Sequence, residues 1–270
     1  MLVQSLPPAP PKRGPLKVQR AVLLALVIRE LRTRVQGRWL GMLWMLFEPL
    51  AHVLLILAVF GFRHHAASVN VEFPVFLVTG LLPFFIFRNL ARRLPNAISS
   101  NRSLFSYRQV KPIDALIARV IVETGLYSAV YLTALVLLGW LGFHWLPWAP
   151  LELMAVSFVL VVFGAVAGLL FSVLAHNRPK VQTVIGWIFL PLYVASGVIF
   201  PLQSLPLEYR HWLMFNPLLH LVELSRTYFI PNYESLPGVN LGYPAAWTLG
   251  VATLALSAYR LYRYHMVAAE

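Results

Sequence analysis

Six predominantly apolar stretches recur along the chain, at about 40–62, 73–91, 115–142, 151–175, 181–200 and 242–262. Each approaches the ~20 residues that a helix needs to cross the hydrocarbon core of a bilayer. The pattern predicts an all-α polytopic membrane protein with six transmembrane helices. The fifth stretch carries no charge from Val181 to Phe200. The second contains Gly80 and Pro83, which predict a kinked or locally unwound helix.

Two further segments follow other patterns. Ahead of the first span, Leu24, Ile28, Leu31 and Val35 share one helical face while Arg29 and Arg32 lie away from it. This predicts an amphipathic helix over 16–37, lying on the cytoplasmic leaflet. Residues 1–15 are rich in proline and read as a flexible cytoplasmic tail. Ala21 to Ile28 is long enough for the core of a signal peptide, but residues 29–34 offer no small-residue cleavage site. Between the fifth and sixth spans, the apolar piece at 211–224 is interrupted by His211, Asn216–Pro217, His220 and Glu223. About a dozen residues do not cross a ~30 Å core. Region 201–240 is therefore predicted as two short helices, broken at Asn216–Pro217 and re-entering from the periplasmic leaflet. Residues 16–270 then form a single transmembrane domain.

Composition agrees with this class. Of the 270 residues 59% are hydrophobic and 12% charged, and mean hydropathy is +0.70. A soluble domain carries about a quarter charged residues, so this chain lacks the groups to cover a water-facing surface. Lys and Arg number 22 against 10 acidic residues, a net charge of +12. Nineteen of those 22 cations fall before the first span, in the connections between spans two and three and between spans four and five with their flanks, or at the C-terminal end. The positive-inside rule then puts both termini in the cytoplasm. A seventh span would carry Arg260 and Arg263 to the wrong side.

Candidate chemistry is sparse. No cysteine is present, which excludes disulfides and thiol catalysis, and Asp114 is the single aspartate. No Gly-Lys dipeptide occurs, so the chain holds no phosphate loop of the Walker type. No metal or cofactor site is expected. His64–His65 reads as a solvated external loop, and His176 and His220 as interfacial residues. Within spans, Glu48 precedes Pro49 and reads equally as pore lining or as half of a structural pair. Glu123 stands one turn from Arg119 and is read as its i,i+4 partner, and Glu223 and Arg226 pair with each other. In the connection after span two, Leu104, Phe105 and Tyr107 place large apolar groups on a cytoplasmic surface, which costs free energy unless something covers them. Either the membrane face buries them or a soluble partner docks there.

The chain resembles the inner-membrane permeases of group 2 capsular polysaccharide exporters, within the type-2 ABC-transporter permeases that also move O-antigen and teichoic acid. The resemblance runs from about residue 18 to 265. It rests on residues 29–34 (Arg-Glu-Leu-Arg-Thr-Arg), on 40–44 (Leu-Gly-Met-Leu-Trp) with Glu48–Pro49, on 73–76 (Phe-Pro-Val-Phe), on 104–114 (Leu-Phe-Ser-Tyr-Arg-Gln-Val-Lys-Pro-Ile-Asp), and on 216–226 (Asn-Pro-Leu-Leu-His-Leu-Val-Glu-Leu-Ser-Arg). One departure is Arg38, where relatives often carry a small polar residue.

The resemblance implies a homodimer in the bacterial inner membrane, paired with two ABC ATPase subunits that bind the ATP and Mg. A periplasmic co-polymerase or adaptor and an outer-membrane channel complete the path. Asn101, Leu104, Phe105, Tyr107 and Arg108, within region 95–110, would form the coupling helix. A lipid-linked acidic polysaccharide, and no nucleic acid, would be the cargo. Arg34, Arg38, Arg88, Arg92 and Arg93 would attract its charge, and Trp44, Phe84, Trp187 and Tyr193 would stack on its sugars, with Glu48 beside them. O-antigen or teichoic acid export by the same architecture is an alternative. A multispan glycosyltransferase is a more distant one, which the lone Asp disfavours.

Overall fold

A computed structural model describes residues 14–35, 39–60, 71–176, 178–264 and 266. The predicted tail, Arg38 and His64–His65 lie outside the described residues, as do the side chains of Trp44 and Glu48. Among the described residues every regular element is helical: α1 (Pro15–Val35), α2 (Trp39–Phe60), α3 (Phe73–Arg93), α4 (Pro95–Ser100), α5 (Pro112–Trp140), α6 (Pro150–Leu174), α7 (Pro179–Ala195), α8 (Leu207–Leu213), α9 (Pro217–Phe229) and α10 (Gly242–Tyr262). Single 3-10 turns cover Arg102–Ser106 and Leu202–Ser204. Three of the helices, α3, α5 and α6, are long and apolar enough to cross a membrane, which makes this a polytopic membrane architecture.

Proline starts most of these helices. It stands in the first turn of α3, α4, α5, α6, α7 and α9, where its missing N–H leaves no helical bond unmade. The single aspartate serves the α5 start: the Asp114 carboxylate accepts from the Lys111 backbone N–H at 2.9 Å. Its other oxygen accepts from Gln19 Nε2 of α1 at 2.6 Å, so one side chain caps a helix and ties it to another.

The central helix is α3, buried without interruption from Val75 to Phe85. A helix apolar all round must be covered on every side, and α5, α6 and α9 cover this one. The close approach of α6 comes from Gly164 and Gly168. A Cβ on Gly168 would stand 2.9 Å from the Leu90 carbonyl oxygen, so a small-residue stripe lets the backbones meet. Helix α3 runs without a gap through Gly80 and Pro83, so the helix is not unwound there. Gly80 instead makes room for Arg226, whose guanidinium would overlap any Cβ at that position.

The charge-free fifth stretch also ends sooner than its sequence suggests. Helix α7 stops at Ala195, five residues short of the predicted limit. Gly197 adopts φ +63°, the left-handed conformation that terminates helices, and the Ser196 hydroxyl turns back to the Leu192 carbonyl. The backbone released by this turn is used at once, because the Val198 carbonyl accepts from Arg226 Nη2 at 2.8 Å.

The expected pair of short helices broken at Asn216–Pro217 is present as α8 and α9. Asn216 Oδ1 accepts from the Leu218 N–H at 3.0 Å while its amide donates to Ser196. Every residue of α9 from Leu218 to Arg226 is buried. His220 is accordingly not interfacial. Its Nδ1 accepts from the Asn240 N–H and its Nε2 faces the Met214 carbonyl at 2.9 Å, which fixes the tautomer with the proton on Nε2.

Candidate functional site

The candidate coupling residues lie where the start of α5, the end of α3, α4 and the segment 101–110 come together. The end of α10 joins them, since Tyr259 Oη accepts from the Ile113 N–H and Met266 is buried among Leu90, Ile98 and Phe105. Helix α1 packs along α5, burying Val22 and Leu26 against Ala118. The face predicted from apolar spacing points the other way, with Leu24 61% and Leu31 41% exposed. Beside Val22 and Leu26, α1 is held to α5 by ion pairs.

Those ion pairs form one hub. Arg119 of α5 grips Glu30 of α1 with two parallel bonds, Nε to Oε1 at 3.0 Å and Nη2 to Oε2 at 3.1 Å. The fork geometry makes this a strong, directional pair. Its remaining donors reach the Arg93 carbonyl at 3.0 Å and the Ser100 hydroxyl at 2.9 Å. Arg34 bridges Glu30 at 3.1 Å and Glu123 at 2.6 Å, and Arg93 approaches Glu123 at 3.6 Å. The sequence reading of Glu123 is thus corrected. Its partners are Arg34 and Arg93, because the nearer Arg119 is held by Glu30. Arg29 completes the hub by donating to Asn101 Oδ1 at 2.8 Å and to the Ser100 carbonyl at 3.2 Å.

Charge in the hub responds to its burial. Burial by itself would raise the Glu30 carboxyl, but hydrogen bonds and charge from Arg119 and then Arg34 outweigh it and hold the group below its ordinary 4.5. A carboxylate lowered on folding stabilises above its unfolded value and loses that contribution as pH falls through the folded value. Docking of α1 is therefore expected to hold from pH 7 to 5 and to loosen only below about 4.5. Hydrogen exchange over 18–34, corrected for intrinsic rates, reads this directly. Protection already lost between pH 7 and 5 would count against Glu30 as the clasp.

The candidate coupling residues separate by exposure. Asn101 and Phe105 are buried, Phe105 within the cluster of Leu94, Ala97 and Ile98, and Leu104 packs half-buried toward α1. Tyr107, 59% exposed, and Arg108 present their side chains outward. The segment thus covers most of its apolar patch with its own chain.

The candidate path residues also divide. Phe84 is fully buried and its ring lies 5.1 Å from that of half-buried Tyr193. Tyr193 in turn meets His52 of α2 at 3.3 Å, and Arg88 sits over the Phe85 ring at 4.2 Å. These five side chains form one aromatic and cationic cluster among α2, α3 and α7. Trp187 stands apart, 73% exposed, and Arg92 is exposed near it. Arg34 is enclosed by its two carboxylates. Among the described residues no group of three or more His, Asp or Glu could hold a metal ion.

A second buried pair was legible from its spacing, but its surroundings were not. Arg226 Nη1 donates to Glu223 Oε1 at 2.8 Å with neither side chain exposed. The guanidinium lies over Phe76 at 3.7 Å, and Tyr233 Oη donates to the Glu223 carboxylate at 3.0 Å. This pair pins α9 to α3 and to the turn after α7.

The sequence profile of the ABC-2 type transporter family matches residues 21–230. The chain belongs to that family. As an ABC-2 permease it is a transport subunit and not a catalyst in its own right. Its sequence is 41% identical to the polysialic acid transport protein KpsM of Escherichia coli, over 92% of this chain and 96% of that protein. It is 30% identical to the capsule polysaccharide export inner-membrane protein CtrC of Neisseria meningitidis, over 89% and 92% of the two chains. With the O-antigen export permease RfbA of Myxococcus xanthus identity is 26%, over 80% and 85%. The matched stretch takes in most of α1, the hub, segment 101–110 and α9.

Proposed function

We propose that this ABC-2 permease carries capsular polysaccharide, in lipid-linked form, across the bacterial inner membrane as a homodimer driven by a separate pair of ATPase subunits. The observation that carries the reading is the hub: one ion-pair network joins the segment 95–110 to α1, α3 and α5. A push on that segment reaches three helices at once, which is what a subunit without its own nucleotide site requires. One nitrogen of Arg34 and one oxygen of Glu123 are buried there without partners. Such groups destabilise an arrangement by about 1–3 kcal/mol each, so the hub has reason to re-pair when the segment moves. The greater identity to KpsM than to RfbA favours a capsular polymer over O-antigen.

In this reading α2, α3, α5, α6, α7 and α10 are the six spans, both termini face the cytoplasm, and α8 and α9 re-enter from the periplasmic side. Helix α7 has 17 residues, about 25 Å at 1.5 Å each, so it reaches across only with its following turn. Arg92 and Arg93 draw an acidic polymer to the cytoplasmic mouth, and Trp187 and Tyr193 offer ring faces for sugars. A periplasmic adaptor and an outer-membrane channel receive the product.

The docking claim is tested at Tyr107. An exposed tyrosine seated in a partner groove contributes on the order of 2 kcal/mol, so Tyr107→Asp is expected to weaken co-purification of the ATPase about 30-fold while the permease itself stays folded. Unchanged recovery of the ATPase with Tyr107→Asp and Arg108→Asp combined would sink the proposal. Phe105→Asp is not a clean test, because Phe105 is part of the core.

A further inference from the structure

Two adjoining clefts open between α4 and the start of α7. One, about 380 Å³, is walled by Arg102, His176 and Arg178. The other, about 560 Å³, is walled by Arg92, Thr183 and Trp187. Asn96 and Gln182 line both, and Gln182 Nε2 donates to Asn96 Oδ1 at 2.9 Å where they meet. No Asp or Glu lines either cleft. His176 Nε2 is buried with no hydrogen-bond partner, and among the described residues neither Arg92 nor Arg178 enters an ion pair. The two clefts thus gather basic side chains with no carboxylate among their lining residues. Such a site suits an anion with several oxygens.

The level of the clefts narrows the choice of anion. On α7 the charges stop at Lys180 and the apolar run begins at Val181; on α6 the apolar run stops at Leu174, just before His176; on α3 it gives way to Arg92 and Arg93. All three boundaries meet at the clefts, where a helix leaves hydrocarbon for headgroups. Trp187, two turns further along α7, has the exposure of an interfacial anchor. Basic pockets between membrane helices at this level hold lipid headgroups.

We propose that this double cleft binds one phosphate group, that of an anionic membrane lipid, and so bridges α4 to α7. Its headgroup level rests on the membrane-spanning reading above, but its chemistry rests on the cleft alone. The hub and the Tyr107 surface have no part in it.

The test uses the full chain in phosphatidylcholine nanodiscs, with native mass spectrometry counting bound dioctanoyl phosphatidic acid. One saturable molecule per chain is expected. Arg102→Gln with Arg178→Gln should weaken it about 25-fold, at roughly fivefold per cation; both side chains are exposed, so folding is not at stake. Arg260→Gln with Arg263→Gln removes the same charge elsewhere and should change binding less than twofold. Inorganic phosphate is the second probe. If it displaces the lipid, the phosphate group alone is what the site reads; if it does not, the site requires the lipid; either result supports the pocket. Absence of saturable binding, or equal weakening by both pairs of substitutions, would overturn it. Neither result depends on transport or on an ATPase, so failure here leaves the export reading standing.

Discussion

Replacing Arg226 with methionine is expected to destabilise the folded permease by about 3–5 kcal/mol, because it strands the Glu223 carboxylate in a fully buried site. Heating purified protein in detergent and following the monodisperse fraction would show a lowered midpoint and a poor yield. Exchanging both partners, Glu223→Leu with Arg226→Met, should recover most of the loss, since a buried pair replaced by apolar groups of similar volume is often neutral. Gly80→Ala should reproduce the defect when Arg226 is present, as its Cβ overlaps the guanidinium, and should be tolerated when Arg226 is methionine. That cycle isolates the contact. If the double substitution is as unstable as the single one, ion pairing is not what holds α9.

The second large effect is expected at Arg119→Met. It leaves Glu30 buried without its fork and frees the Arg93 carbonyl and Ser100 together. Glu30 keeps Arg34, so the cost falls below the roughly 3–5 kcal/mol of a fully stranded buried charge, and it is concentrated on the docking of α1. Tryptic cleavage at Arg29, Arg32 and Arg34 should become fast while the spans stay intact. In the complex, ATP hydrolysis should continue while polymer export falls by more than tenfold. Continued protection of α1 would show that Val22 and Leu26 suffice to hold it.

The long apolar stretches were readable in the sequence to within a few residues because burial in lipid demands composition more than partners. Helix α10 matches its predicted limits, and α3 and α6 differ by at most two residues. The misreadings occur where composition is silent about tertiary demand. Nothing in the charge-free run 181–200 says that its last residues must turn to offer Arg226 a carbonyl. Gly80 reads locally as a place where the helix could unwind, yet it serves a side chain 146 positions away. The local spacing of Glu223 and Arg226 was enough to pair them. The same rule misassigned Glu123, because Arg119 is claimed by Glu30, 89 residues distant. Similarly, Phe105 and Tyr107 look alike as exposed aromatics, and only the packing of Ala97, Ile98 and Met266 separates them.

The enclosure of α9 has a bearing on how the protein is made. A segment of 13 residues carrying both an acid and a base is a poor substrate for insertion on its own. Most of its seat is built by α3, α6 and the turn at Gly197, which precede it in the chain, while Tyr233, Asn240 and α10 close it afterwards. Translation from the amino end therefore delivers the charged helix only once the larger part of its cradle has been synthesised. Moving α9 ahead of α6 by circular permutation would present the pair to lipid before its shelter exists.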